Sequence, residues 1–231
     1  MSSAPIGIFD SGIGGLTVAG AVSKLLPNES TIYFGDTARV PYGPKSPETV
    51  RRYASEILTW LLNQDVKAVV VACNTVTAHA LDDLRAASPV PVIGVIEPGA
   101  RAAAKATATG HVGVIGTVGT IASGAYRVAL QRIRPELRVI ERACPLFVPL
   151  VEEGWFDHEA TKLVAEEYLH PLRHAGVDVL VLGCTHYPML KPLLHRVMGE
   201  SVTLIDSAEE TAHELSRVLN EMGLAAASGA R

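Results

Sequence analysis

An α/β fold made of two similar parallel-sheet halves is predicted by three observations on this 231-residue sequence. The first is a series of short, β-branched, nearly continuous apolar runs, the pattern of strands covered on both faces. The second is helical spacing in the segments between those runs, which implies right-handed βαβ units. The third is a weak internal repeat. Ile6-Gly7-Ile8-Phe9-Asp10 resembles Val112-Gly113-Val114-Ile115-Gly116, and Val69-Val70-Val71-Ala72-Cys73 resembles Leu180-Val181-Leu182-Gly183-Cys184, in the same order and at nearly the same offset.

The strands expected from the apolar runs are 6–9, 31–34, 68–71 and 90–93, then 112–115, 139–140, 179–182 and 202–205. Helical spacing marks 49–62 and 159–174. It also marks 98–109, with Pro98 in the first turn and Gly110 just past the end. With 48% apolar and 19% charged residues, the chain can bury a substantial core. A net charge of −4 without any Lys/Arg run argues against a nucleic-acid partner. The longest apolar runs are strand-sized, too short for a membrane span. Residues 1–5 carry neither a basic nor an apolar signal-peptide region. Three cysteines at long spacing read as free thiols, the state expected in a reducing cytoplasm.

In open parallel sheets, ligands bind beyond the carboxyl ends of the strands. Cys73 and Cys184 both sit at such ends, followed by Asn74-Thr75 and Thr185-His186. A single cysteine there reads as a small buried core residue. The same arrangement at two equivalent strand ends points instead to two thiols flanking one cleft. Asp10 closes another strand, ahead of the loop Ser11-Gly12-Ile13-Gly14-Gly15. Glycines there let backbone N–H groups converge into an anion-binding nest at a helix start. The spacing matches neither a dinucleotide loop nor a P-loop, so a carboxylate is an equally good occupant.

Other thiol chemistries fit less well. No Cys-x-x-Cys or tight Cys/His grouping offers a metal site. A Cys–His hydrolase built on Cys184 and His186, on one side of an extended chain, leaves Cys73 and Asp10 without a role. Cys144, with no polar neighbours, reads as core. His79, His111, His158, His170, His174, His195 and His213 read as ordinary surface or helix residues. An amino-acid-binding or regulatory protein on the same two-lobed scaffold remains an alternative, but it has no need of paired thiols.

Several of these stretches together resemble the glutamate racemases. They are Asp10-Ser11-Gly12-Ile13-Gly14-Gly15-Leu16-Thr17, Gly35-Asp36-Thr37 with Pro41-Tyr42-Gly43, Ala72-Cys73-Asn74-Thr75 and Gly183-Cys184-Thr185-His186-Tyr187-Pro188. Gly94 to Arg101, and Cys144-Pro145 leading to Val151-Glu152, are similar too. Val76 stands where an alanine is usual, and the chain ends at Arg231 after a small-residue tail beginning at Ala225, where many relatives continue.

The resemblance implies a first domain of 1–97 plus 207–231 and a second of 98–206, with the active site in the cleft between them. The helix around 211–221 then returns to the first domain. It implies racemisation of glutamate without metal or pyridoxal phosphate, Cys73 taking the Cα proton of the D-enantiomer and Cys184 that of the L-enantiomer. Asp10 and His186 are the implied assisting groups, with Glu152 orienting the histidine. Substrate contacts are expected from Asp10, Ser11, Tyr42, Gly43, Asn74, Thr75, Thr185 and His186. A cytoplasmic homodimer supplying D-glutamate for peptidoglycan is the implied setting. An aspartate racemase of the same superfamily is the nearest alternative.

Overall fold

The computed structural model describes residues 3–226, so that residues 227–231 of the expected small-residue tail lie outside the described part. The first sheet comprises β1 (Ile6–Asp10), β2 (Thr31–Gly35), β3 (Ala68–Val71) and β4 (Val92–Gly94), all parallel, in the order β2-β1-β3-β4. The second comprises β5 (His111–Gly116), β6 (Arg138–Ala143), β7 (Val179–Gly183) and β8 (Thr203–Ile205), also parallel, in the equivalent order β6-β5-β7-β8. Every expected strand is found. Val90, Pro91 and Val202 fall just outside theirs.

The connecting helices are α1 (Leu16–Leu25), α2 (Pro47–Leu62), α3 (Asn74–Ala87), α4 (Ile96–Ala106), α5 (Val118–Ser123) and α6 (Ala125–Ile133). They continue with α7 (Phe147–Glu152), α8 (Glu159–His174), α9 (Lys191–Met198) and α10 (Ala208–Glu221), with a 3₁₀ turn at Tyr187–Leu190 ahead of α9. Helix α2 begins two residues before the expected 49, because Ser46 caps it by accepting from the Thr49 N–H and Pro47 occupies the first helical position. Helix α4 covers 96–106 rather than 98–109. Its C-cap, Thr107, is extended, and the chain turns there onto the Asp178 carboxylate, which accepts from Ala108 and Thr109 N–H.

The repeat holds residue by residue. Along a strand, side chains alternate between faces, and both sheets divide identically. Ile6, Ile8, Ala68 and Val70 pack with α1 and α10 on one face, while Phe9, Val69 and Val71 pack with α2 and α3 on the other. In the second sheet Val112, Val114, Val179 and Val181 face α4 and α6, while Ile115, Leu180 and Leu182 face the core that includes α8 and α9. The register agrees as well: Phe9 lies opposite Val71, and Ile115 opposite Leu182. Cys73 and Cys184 therefore lie the same two residues beyond equivalent paired positions.

The chain passes between the two layered units twice. It leaves β4 at Gly94 and starts α4 in the second core, then leaves β8 at Ile205 and starts α10 against the first. Burial of Thr211, Ala212, Leu215 and Leu219 fixes α10 over Ile6, Ile8, Ala68 and Val70. Leu215→Ala should destabilise the protein by about 2–5 kcal/mol, the usual cost of truncating a fully buried leucine. Denaturant unfolding checks this; a loss under about 1 kcal/mol would show that α10 is not a structural part of the first unit.

Candidate active site

Four central strands end at one place. Asp10 ends β1 and Ser11 follows it; beyond β3 come Cys73, Asn74 and Thr75, beyond β5 Thr117, and beyond β7 Cys184, Thr185 and His186. They surround a cleft of about 140 Å³. Ser11, Tyr42, Gly43, Cys73, Asn74 and Thr75 line it from the first unit, and Cys184, Thr185 and His186 from the second. The sequence analysis named all nine. Asp10 and Glu152, also named there, stand one layer behind this wall. Val40, Pro41, Thr117, Val118, Val148 and Pro149 complete much of the lining. No lining residue is Asp, Glu, Lys or Arg, and among the described residues no group of three or more His, Cys, Asp or Glu is placed to hold a metal ion.

Both thiols are buried, Cys73 with 5% and Cys184 with 7% of its surface exposed. Burial pushes the Cys73 thiol up to about 11, and the negative charge of Asp10 adds to the effect. The N–H groups of Val76 and Ser11 and the Ser11 hydroxyl oppose the rise, with the Cys73 Sγ 3.6 Å from Ser11 Oγ. Cys73 is itself the N-cap of α3, and the Val76 N–H of that helix's first turn acts on the sulfur. Burial also raises the Cys184 thiol, against the N–H groups of His186 and Tyr187. Val76 is buried in the core of the first unit, and its side chain is not part of the cleft wall.

The environments of the two thiols differ. His186 Nδ1 lies 3.9 Å from Cys184 Sγ, and its Nε2 lies 2.6 Å from Glu152 Oε1. A carboxylate accepting at Nε2 places a proton there, which leaves Nδ1 to accept from the Cys184 thiol or, once protonated, to donate to the thiolate. The pair meets with a helical backbone at His186 (φ −80°, ψ −30°). On the Cys73 side the nearby acid is Asp10, which is 0% exposed.

The glycine loop serves Asp10 itself. Oδ2 accepts from Gly12 N–H at 3.0 Å, the Gly15 N–H is a further donor, and Oδ1 lies 3.4 Å from Thr185 Oγ1. Burial still holds the Asp10 carboxyl above its usual range. The nest expected for an external anion is thus occupied from within, and Asp10 is not on the cleft wall. Gly14 sits where this loop meets the second unit; a Cβ there would fall 2.5 Å from Thr185 Oγ1 and 2.6 Å from His186 Nδ1. No side chain fits in that gap.

Tyr42 and Gly43 are held by a network on the first unit. The Tyr42 hydroxyl donates to Asp36, which also pairs with Arg39 at 2.6 Å, and the Arg39 guanidinium lies 4.1 Å above the Tyr53 ring. Gly43 touches the second unit, its carbonyl accepting from Gly119 N–H at 2.9 Å. Thr75 Oγ1 lies 2.9 Å from Thr117 Oγ1 and 3.3 Å from Thr120 Oγ1, a hydroxyl cluster shared by the two units. Sequence reasoning missed Thr117. The repeat contained the signal, since Thr117 follows Gly116 as Ser11 follows Asp10. Cys144 is fully buried, as expected, and its carbonyl accepts from the Tyr187 hydroxyl at 2.9 Å. His79, read as an ordinary helix residue, lies on α3 with its Nε2 buried.

Comparison with known proteins agrees with this geometry. The Asp/Glu/Hydantoin racemase family matches residues 17–215. A glutamate racemase of Geobacter metallireducens is 62% identical over 93% of this chain and 79% of its own length. The crystal structure of glutamate racemase isoform RacE1 from Bacillus anthracis superposes with a TM-score of 0.95 at 47% identity, covering 98% of this chain and 85% of that one. The Francisella tularensis glutamate racemase, solved in complex with D-glutamate, gives 0.94 at 39% identity, covering 100% and 86%. With matches of this extent and identity, this chain belongs to the Asp/Glu/Hydantoin racemase family, and the relatives it most resembles there are glutamate racemases.

Proposed function

We propose that this protein interconverts L- and D-glutamate by moving the Cα proton directly between substrate and two cysteines. The observation that carries the reading is the pair of buried thiols on the wall of one cleft, each ending an equivalent strand of a separate sheet. Racemisation removes the Cα proton on one face and returns a proton on the other. Two acid/base groups on opposite sides accomplish this without one group having to reach around the substrate. Cys73 as thiolate takes the proton of D-glutamate while Cys184 as thiol delivers its own to the opposite face; the reverse direction exchanges the roles. His186, backed by Glu152, manages the Cys184 proton. Asp10, behind the wall, acts on Cys73 by its charge and on Thr185 by a hydrogen bond, and is a positioning group rather than one that touches substrate.

Charge that leaves Cα in the transition state spreads into the substrate's carboxylate. Preorganised neutral donors around the cleft, among them Asn74, Thr75, Thr117 and Thr185 with the N-terminal turn of α3, are suited to hold it in a dry site. The wall offers no lysine for a Schiff base, and the proposed chemistry needs neither pyridoxal phosphate nor metal. The identity to glutamate racemases favours glutamate over aspartate as substrate. The domain division 1–97 plus 207–231 and 98–206, a homodimeric cytoplasmic enzyme, and supply of D-glutamate to peptidoglycan synthesis are parts of the same proposal. Among the described residues no helix is long and apolar enough to cross a membrane.

The test is racemisation in heavy water, begun from each enantiomer. Early product should carry deuterium while unreacted substrate does not, because the returned proton comes from the second thiol, already exchanged with solvent. Early product retaining its own hydrogen would reject the two-thiol mechanism. Cys73→Ser and Cys184→Ser should each lower turnover by about 10²–10⁴ or more, the worth of a positioned acid or base. A variant within a few-fold of the unaltered protein would remove that cysteine from the chemistry.

The raised Cys73 thiol also fixes a pH dependence. Below about 11 the neutral thiol is the main form of the free protein, and its thiolate fraction grows with rising pH. The kcat/KM for D-glutamate, which reports free-enzyme groups, should therefore climb between about pH 6 and pH 8, by up to about tenfold per unit. A flat profile across that range would mean that Cys73 is not the base for this enantiomer.

A further inference from the structure

Tyr126, on α6, lines no part of the cleft and carries none of the roles assigned above, yet its hydroxyl reaches the site. The side chain is fully buried among Val112, Val114, Val179 and Val181 of the second unit. Its hydroxyl donates across to Asn74 Oδ1, in the first unit, at 2.7 Å. The Ser207 side chain is a second polar neighbour of the phenol. Ser207 immediately precedes α10, where the chain returns to the first unit. The outgoing passage is adjacent too, since a Cβ on Gly99 of α4 would lie 3.5 Å from the phenol oxygen and 3.2 Å from Ser207 Cβ. The ring packs closely on the end of β7, where the absence of a side chain at Gly183 makes room for it: a Cβ there would lie 3.0 Å from the ring.

The direction of this bond sets which way the Asn74 amide faces. The phenol O–H donates to Asn74 Oδ1, so the acceptor end of the amide is turned to Tyr126. Turning the amide over would set its NH₂ against the phenol and break the bond to Oδ1. With Oδ1 engaged behind the wall, the two Nδ2 protons are left for the cleft that Asn74 lines. Burial pushes the phenol well above its ordinary range, so it remains a donor at every pH at which the protein works.

We propose that Tyr126 is a positioning residue, fixing Asn74 with its N–H donors toward a substrate carboxylate and tying that donor to both passages of the chain between the units. The inference rests on the racemase reading above. Tyr126→Phe, which keeps the ring, should raise KM for both enantiomers by roughly three- to tenfold while kcat changes less, as expected when one neutral hydrogen bond that orients a binding group is lost. In an Asn74→Ala background the same substitution should raise KM no further, because it acts through Asn74. Should Tyr126→Phe not fold, Asn74→Asp tests the same arrangement: it keeps an acceptor toward the phenol and removes the N–H donors, and KM should rise for both enantiomers.

An unchanged KM in Tyr126→Phe, even with a lower melting temperature, would show a packing role and overturn the proposal. So would an undiminished effect in the Asn74→Ala background, or, where Asn74→Asp is the variant used, an unchanged KM. The unaltered protein in the same assay separates the two readings. Failure to racemise glutamate overturns the function itself, whereas an active protein with an unaffected Tyr126→Phe variant overturns only the role of Tyr126.

Discussion

Burial of two thiols under facing strand ends is the constraint on which the rest of the site depends. A thiol in an apolar wall holds its proton, and a thiolate formed there is costly. Both Cys73 and Cys184 are raised for this reason. What opposes the rise is short-range and local: the Val76 N–H of α3 with the Ser11 hydroxyl and N–H at one sulfur, and the N–H groups of His186 and Tyr187 at the other. These donors come from the turns that follow β1, β3 and β7, so the strand ends themselves supply them. On the proposed mechanism, the thiols work as acids and bases because of where they lie on the sheets.

Equivalent strands do not make equivalent chemistry. The position after Cys184-Thr185 is His186, whereas after Cys73-Asn74 it is Thr75. Only the second unit thus places an imidazole beside its thiol, with Glu152 behind it. The first unit ends β1 in a buried carboxylate, Asp10, where the second ends β5 in Gly116. The pseudosymmetry provides two facing thiols, and these substitutions at the strand ends give the two faces different proton partners. Close approach of the units requires small residues where the loops meet. Gly14 against Thr185 and His186, and Gly43 against Thr117, have no space for a Cβ.

The strands were legible because a buried parallel strand has few ways to be written. Runs such as Ala68–Val71 and Val179–Gly183 must be apolar on both faces, and the sequence shows it. The paired cysteines were legible because the repeat marked them as equivalent. Glu152 was reached only through family resemblance, since nothing local distinguishes it from Glu153; its position opposite His186 is a matter of how α7 meets the turn after β7. Tyr126 gave no local signal of its own, because its partner, Asn74, lies in the other unit, whereas Thr117 was marked only by its place in the repeat. The glycine loop misled for a related reason. Its composition suits an anion, but composition does not say whether the anion is a ligand or the chain's own Asp10.

That internal occupancy changes how the cleft must recognise a dicarboxylate. With Gly12 and Gly15 N–H groups spent on Asp10 and no Lys or Arg on the wall, a substrate of the proposed kind meets neutral donors rather than fixed positive charge. Neutral donors attract an anion less strongly, but in a dry cleft their direction counts for more than their charge. A lysine or arginine there would stabilise both neighbouring thiolates whether or not substrate was present. Hydroxyls and amides leave the free thiols protonated, as burial dictates. A bound amino acid brings its own ammonium group into the same space, an opposite charge that favours a thiolate beside it. On the proposed reaction, then, the positive charge that helps form the base arrives with the molecule on which the base acts.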